Sequence, residues 1–151
     1  MSDDTGQKRN TEAADSVVLG VSRLMRDRDE TCLSEFTLKT GRRVDIIALD
    51  RKGLFTIVEV KSSVADFRSD NKWREYLNFC DRFYFAVPIE FPKDILPAEC
   101  GLMVADGYGS ESVRESPLRS MNSSRRKALT VRFARTAASR LRRLSDAAVD
   151  G

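Results

Sequence analysis

Three residues in the first half of the chain have the types and spacing for metal-assisted chemistry on a phosphate: Asp45, Glu59 and Lys61. The two acids sit in β-rich runs, VDIIALD and LFTIVEVK, separated by Arg51-Lys52-Gly53; this reads as a hairpin. Asp50 and Gly53 suit the first and fourth positions of a type I turn, which predicts a three-residue loop with glycine left-handed and Asp50 paired with Leu54. Counting outward from that pair, Ile47 meets Ile57, Ile46 meets Val58, Val44 meets Val60, and Asp45 meets Glu59. Opposed side chains in an antiparallel pair have Cβ atoms roughly 4.5 to 5.5 Å apart, close enough for two carboxylates to grip one cation. Lys61 lies two residues beyond Glu59, so it emerges on the same face about 7 Å along the strand, within reach of a water on that ion. A slip of one residue in register separates these groups onto opposite faces, so the expectation rests on the turn.

The bland alternative is that the three charges belong to the solvent face of a half-exposed hairpin. Against it, the face of Asp45 and Glu59 also carries Ile47, Leu49, Phe55 and Ile57, while the other carries Val44, Ile46, Val58 and Val60. Both faces are apolar, as in a sheet covered on both sides. Two apposed carboxylates at one end of such a sheet repel when ionised, and a divalent cation is the natural compensation. Arg43 falls opposite Lys61, a pairing of like charges that a bound phosphate makes tolerable. Contact with a phosphodiester backbone is therefore the expected role of Arg43.

The elements that must position this set follow from periodicity. The chain has 151 residues, of which 41% are hydrophobic and 32% charged, enough for a single domain with a sizeable core. Val17, Val18, Val21, Leu24 and Met25 recur at helical spacing behind an Asp15 or Ser16 cap. A strand over Leu33 to Leu38 and a turn at Lys39 to Gly41 precede the hairpin. Asp70-Asn71 starts a helix that places Trp73, Tyr76, Leu77 and Cys80 on one face, and FYFAV at 83 to 87 reads as a buried strand. LMVAD and a short segment near Val113 add further strands, and a long helix from about Ser124 to Leu144 closes the domain. Residues 1 to 10 and 146 to 151 read as tails flanking a domain over 11 to 145. The fold class is therefore α/β, a mixed central sheet flanked by helices on both faces.

Composition excludes several chemistries. Histidine is absent, so imidazole bases, the usual serine and cysteine triads, and His-ligated zinc are ruled out. Cys32, Cys80 and Cys100 are odd in number and widely separated, and read as reduced core residues. The polar start and the lack of a long apolar run predict a cytoplasmic location, in association with the nucleoid, and no membrane span. Net charge is only +3, but from Arg119 to Arg143 there are many Arg and Lys and no acid. This asymmetry predicts a polyanion partner. The last helix is read with Val131, Ala134, Ala138 and Leu141 as its apolar stripe, and with arginines outside it, so that Arg125, Arg126 and Arg132 become candidate DNA contacts.

An Asp in one strand of a hairpin followed by Glu-x-Lys in the next, here V44-D45 and E59-V60-K61, resembles the PD-(D/E)xK nuclease superfamily, which implies a restriction-endonuclease-like core. Val44 stands where the superfamily label has proline. A wider resemblance covers most of the chain: SEFTL, GRRVDIIAL, EVKSSVADFRSDNKWREYLNFCDRFYFAVP, LPAECGLMVAD and RRKALTVRFAR are similar to the bacterial MmcB-like DNA repair proteins. Together with the hairpin geometry, this implies Mg²⁺ or Mn²⁺ held by Asp45, Glu59 and a main-chain oxygen near Val60. It also implies that Lys61 orients a water on the ion. Glu35 adds a third carboxylate by the same resemblance, or else pairs with Arg42 or Arg43.

Lys72 and Tyr76 are four residues apart, where RecB-like members carry Gln-x-x-x-Tyr, and are assigned to DNA, although Lys72 replaces the Gln and Tyr76 also fits the apolar stripe. Ser62 and Ser63 offer hydroxyls to a nucleic-acid backbone or cap the following helix. The implied function is metal-dependent hydrolysis of phosphodiester bonds in damaged or branched DNA. The alternative is a non-catalytic DNA-binding or scaffold protein that keeps the nuclease fold, with an RNA-directed nuclease more distant. Beyond DNA, other repair proteins and a second copy of the chain are candidate partners.

Overall fold

The computed structural model describes residues 2–150, with side chains from Thr11 onward. Six strands form one sheet: β1 (Thr31–Thr37), β2 (Arg43–Leu49), β3 (Phe55–Val60), β4 (Arg82–Val87), β5 (Gly101–Ala105) and β6 (Ser110–Arg114), hydrogen-bonded in chain order. β1, β2 and β3 are antiparallel neighbours, β3, β4 and β5 are parallel, and β6 returns antiparallel to β5. The parallel step from β3 to β4 requires a crossover. It is made by α2 (Val64–Ser69), α3 (Trp73–Tyr76) and a 3₁₀ turn at Leu77–Phe79.

Long helices cover opposite faces. α1 (Ser2–Asp27) lays Val17, Val21 and Met25 on Ile46, Val58, Tyr84 and Met103. A Cβ on Gly20 would stand 2.2 Å from the Asp106 carbonyl oxygen, so glycine here lets α1 seat against the turn between β5 and β6. On the other face, α3 and α4 (Ser123–Asp150) bury Trp73, Leu129 and Phe133 against Phe36, Phe55, Phe83 and Phe85. The Phe133 ring lies 5.8 Å from that of Phe55 and 6.1 Å from that of Phe36, and Trp73 stacks on Phe83 at 5.7 Å. All six residues of β3 are buried, as expected of a strand covered on both sides. The arrangement is a single α/β domain with a mixed sheet and fits the restriction-endonuclease-like core. Among the described residues no helix is long and apolar enough to cross a membrane.

Four local readings change. First, α1 is helical from Ser2, so Asp15 and Ser16 lie inside the helix rather than at its cap; α4 likewise runs to Asp150, past the expected end at Leu144. Second, the helix expected from Asp70 starts only at Trp73, as α3, after Asp70 accepts from the Lys72 N–H at 2.8 Å, and passes into a 3₁₀ turn at Leu77; a separate short helix, α2, precedes it, capped by Ser63, whose Oγ accepts from the Asp66 N–H at 3.1 Å.

Third, α4 buries Leu129 and Phe133, while Val131 and Leu141 of the expected stripe are 51% and 66% exposed. Covering a phenyl ring removes far more apolar area from water than covering alanine methyls, so Phe133 decides which side of the helix faces in. Fourth, Val44 packs with Ile47 and Phe36 on the α4 face, not with Ile46 on the α1 face. The β1–β2 register pairs Ser34 with Ile46 and Phe36 with Val44 but skips the intervening Glu35 and Asp45. Glu35 has φ of +48°, a left-handed conformation uncommon for a residue with a side chain. The ribbon turns over at this position, which lets successive pairs face opposite cores.

Candidate active site

The hairpin that carries the acids forms as its turn residues dictate. Gly53 has φ of +85°, its N–H donates to the Asp50 carbonyl at 3.2 Å, and the Asp50 N–H donates to the Leu54 carbonyl at 3.1 Å. Asp50 Oδ1 accepts from the Lys52 and Leu54 N–H groups at 2.8 and 2.9 Å, which fixes the loop. The register is the expected one, with Leu49 opposite Phe55, Ile47 opposite Ile57 and Ile46 opposite Val58.

That pairing ends at Ile46 and Val58, and two carboxylates continue the hydrogen bonding. The Val60 N–H donates to Asp45 Oδ2 at 2.8 Å, and the Asp45 N–H donates to Glu59 Oε1 at 3.1 Å. Each acid thus anchors the other strand's backbone, and the two side chains converge. Glu59 is only 5% exposed. Burial first and the neighbouring Asp45 second push its carboxyl up to about 8. Asp45 is raised as well, by burial, against the pull of the Val60 N–H and of Lys61. The pair therefore titrates jointly and resists carrying two charges.

Lys61 is 6% exposed and forms a 2.7 Å ion pair with Asp70. Burial alone would lower its pKa, but Asp70, Asp66 and Glu59 outweigh burial and raise it, so the amine is a held cation. Asp70 is correspondingly lowered, against its own partial burial, chiefly by Lys61 and the Lys72 N–H. Tyr76 belongs to the same cluster. Burial and then the charges of Glu59 and Asp70 push its hydroxyl up to about 12. The residue types and spacing that mark the site do not include Asp66 and Asp70. The Ser63-x-x-Asp66 spacing of a helix start is the signal for the first, whereas Asp70 carries only the signal of a helix start.

The other expected residues are distributed as follows. Val60 adds its N–H to the acid pair while its side chain packs under α1. Arg43 is exposed and pairs with Thr37 of β1, while on the β3 side the ladder ends at Ile46 and Val58, before it reaches Arg43 and Lys61. The Ser62 N–H donates to Asp66 Oδ2 at 3.3 Å, and Lys72 is exposed beside Trp73. Glu35 is exposed, and its carbonyl, with that of Ser34, accepts from Arg140 at 2.8 and 2.7 Å. Neither Arg42 nor Arg43 pairs with it; Arg42 instead bridges to Glu75 at 2.5 Å.

Arg126 is a structural residue. Its guanidinium reaches both oxygens of the 1% exposed Asp81, at 2.8 and 2.5 Å, and the Gly53 carbonyl at 2.8 Å. Asp81 also accepts from the Phe55 N–H at 2.8 Å, so this unforeseen pair ties α4 to the hairpin turn. Arg132 donates to the Thr37 carbonyl at 3.5 Å, and Arg125 lies over the Phe79 ring at 5.1 Å.

Among the described residues no group of three or more His, Cys, Asp or Glu is arranged to hold a metal. The donor set is the two carboxylates, and Asp45 Oδ1 and Glu59 Oε2 have no hydrogen-bond donor among the described residues. Two hard oxygens at a crowded negative site fit Mg²⁺ or Mn²⁺, ions held by one or two carboxylates with waters and phosphate completing the shell. They do not fit a closed all-protein cage.

Comparison with known proteins agrees with the sequence resemblance. No curated protein matches the chain. A solved structure, the SPO1766 protein of unknown function from Silicibacter pomeroyi, is similar at 43% identity and a TM-score of 0.85, covering 89% of this chain and 92% of that one. The family model described as DNA repair protein MmcB-like matches residues 2–148, and the chain belongs to that family.

Proposed function

We propose that this DNA repair family member is a Mg²⁺- or Mn²⁺-dependent deoxyribonuclease that hydrolyses phosphodiester bonds in damaged or branched DNA. The observation that carries the reading is the buried Asp45–Glu59 pair, joined by reciprocal main-chain hydrogen bonds, with the Lys61 ammonium beside it. A binding surface has no need to bury two acids against each other, because each raises the other's proton affinity.

Asp45 and Glu59 would hold the cation, and Glu59 gives up its proton as it does so. When bound, the ion would supply charge stabilisation at a scissile phosphate and a more acidic water. Lys61, kept protonated by Asp70, would orient an attacking water and meet phosphate charge; it is not a base. Tyr76, facing the acids with its proton retained, offers a hydroxyl donor to the same phosphate.

The Lys61–Asp70 ion pair also favours a second reading, a DNA-binding scaffold that keeps the fold without turnover, since in it the amine already has a partner. The two separate in one experiment. Purified protein, Asp45→Ala and Lys61→Ala are incubated with linear, single-stranded, forked and four-way DNA in Mg²⁺, Mn²⁺ or EDTA. Metal-dependent cleavage by the native chain alone supports the nuclease. Cleavage that persists equally in both variants sinks the mechanism, and metal-independent binding without cleavage supports the scaffold.

A further inference from the structure

A groove of about 1310 Å³ runs along α4, bounded also by Lys39 and Thr40 of the β1–β2 turn and by Phe79. Six cations line it, Lys39, Arg125, Lys127, Arg132, Arg135 and Arg143, and no carboxylate does. Other arginines of α4 are occupied: Arg126 with Asp81, Arg140 with two carbonyls and Arg142 with Asp146. By contrast, Lys39, Lys127, Arg135 and Arg143 have no hydrogen-bond or ion-pair partner among the described residues.

The dimensions select the ligand. Arg125 and Arg143 are 18 positions apart on α4, about 27 Å at the rise of a helix. The α4 cations lie in a line along one helix rather than across a broad basic face, so they match the phosphates of one strand in single file. At about 3.4 Å per phosphate along one strand, the channel spans up to about 8 phosphates. Unneutralised cations at intervals along an acid-free groove match a linear polyanion. The Lys39–Thr40 turn at one side of the groove leads along the chain into β2, which begins at Arg43 and bears Asp45.

We propose that this groove binds a single strand of DNA through its phosphates. The inference rests on the nucleic-acid part of the reading above and is independent of its hydrolytic chemistry. The test is fluorescence anisotropy with the full chain, a labelled single-stranded oligonucleotide and the matching duplex, titrated with salt in EDTA so that no metal-dependent cleavage intervenes.

For six phosphate contacts, log K against log salt falls with a slope of about −4 for the single strand. The double variant Lys127→Gln/Arg135→Gln makes the slope shallower by about 1.4. Arg51→Gln, on the hairpin turn at the far end of β2 from Asp45, leaves it unchanged. Both groove positions are exposed and unpartnered, so melting temperature stays the same; if it falls, Lys39→Gln/Arg143→Gln takes the place of the double variant. An unchanged slope in the groove variant, or binding to duplex as tight as to the single strand, overturns the proposal. Since EDTA removes the metal, failure here leaves the acid pair's chemistry untouched, and failure of cleavage leaves the groove untouched.

Discussion

Replacing Glu59 by Gln keeps the shape of the side chain and an oxygen to accept the Asp45 N–H, but removes the charge. Burial, and Asp45 after it, raise Glu59 from 4.5 to about 8. A carboxyl raised in the folded state adds stability that is complete below its unfolded value of 4.5 and is lost as pH climbs to about 8. Each unit is worth about 1.4 kcal/mol, so the native chain loses up to about 5 kcal/mol over that window relative to the Gln variant. Relaxation around the ionised pair makes this an upper bound.

Urea unfolding of both proteins across the range reads the effect directly. The two stability curves meet at acid pH, separate from about pH 4.5 upward and reach their full gap near pH 8, with Glu59→Gln the more stable. Excess Mg²⁺ at pH 8 restores the native chain and leaves the variant where it was, because only the native pair gains a compensating ion. Curves that stay parallel from acid to alkaline pH would refute the claim that these two acids share a buried site.

Arg126→Ala leaves the Asp81 carboxylate buried without its cation and is expected to destabilise the fold by about 3 kcal/mol by urea unfolding. Although burial alone would raise Asp81, Arg126 and the Phe55 N–H hold it below its ordinary value, so this contribution is present above pH 3.8 and fades as pH falls further. Glu35→Gln is expected to leave Mg²⁺ affinity, measured by calorimetry, within about a factor of two, since Glu35 is exposed and outside the acid pair. A tenfold loss would return Glu35 to the donor set.

Where sequence and structure agree, the cause is local. Asp50 and Gly53 set the hairpin loop through contacts within four residues, and the loop sets which residues face each other up to Ile46 and Val58. The convergence of Asp45 and Glu59 follows from that register. What was illegible depends on partners distant in the chain. Both Val131-Ala134-Ala138-Leu141 and Leu129-Phe133-Ala137 are helical stripes of α4, and the choice between them lies with Phe36 and Phe55, which supply the socket for Phe133. α2 contains no buried residue, so it left no apolar period to detect. The half-turn at Glu35 comes from a single positive φ, which no spacing reveals. The arginines of α4 looked alike as a basic run, yet only coordinates separate Arg126, committed to Asp81, from Arg135, which is free to meet a ligand.

β1 is one of the two outer strands of the sheet. A strand in that place is a template on which a foreign strand can assemble. Here the carbonyls of Ser34, Glu35 and Thr37 accept from Arg140 and Arg132 of α4. A guanidinium donates and never accepts, so it fills those acceptors without offering a new one to an incoming chain. α4 is thereby a guard against self-templated aggregation, and proteolysis that releases it would open the margin of β1 to fibre growth.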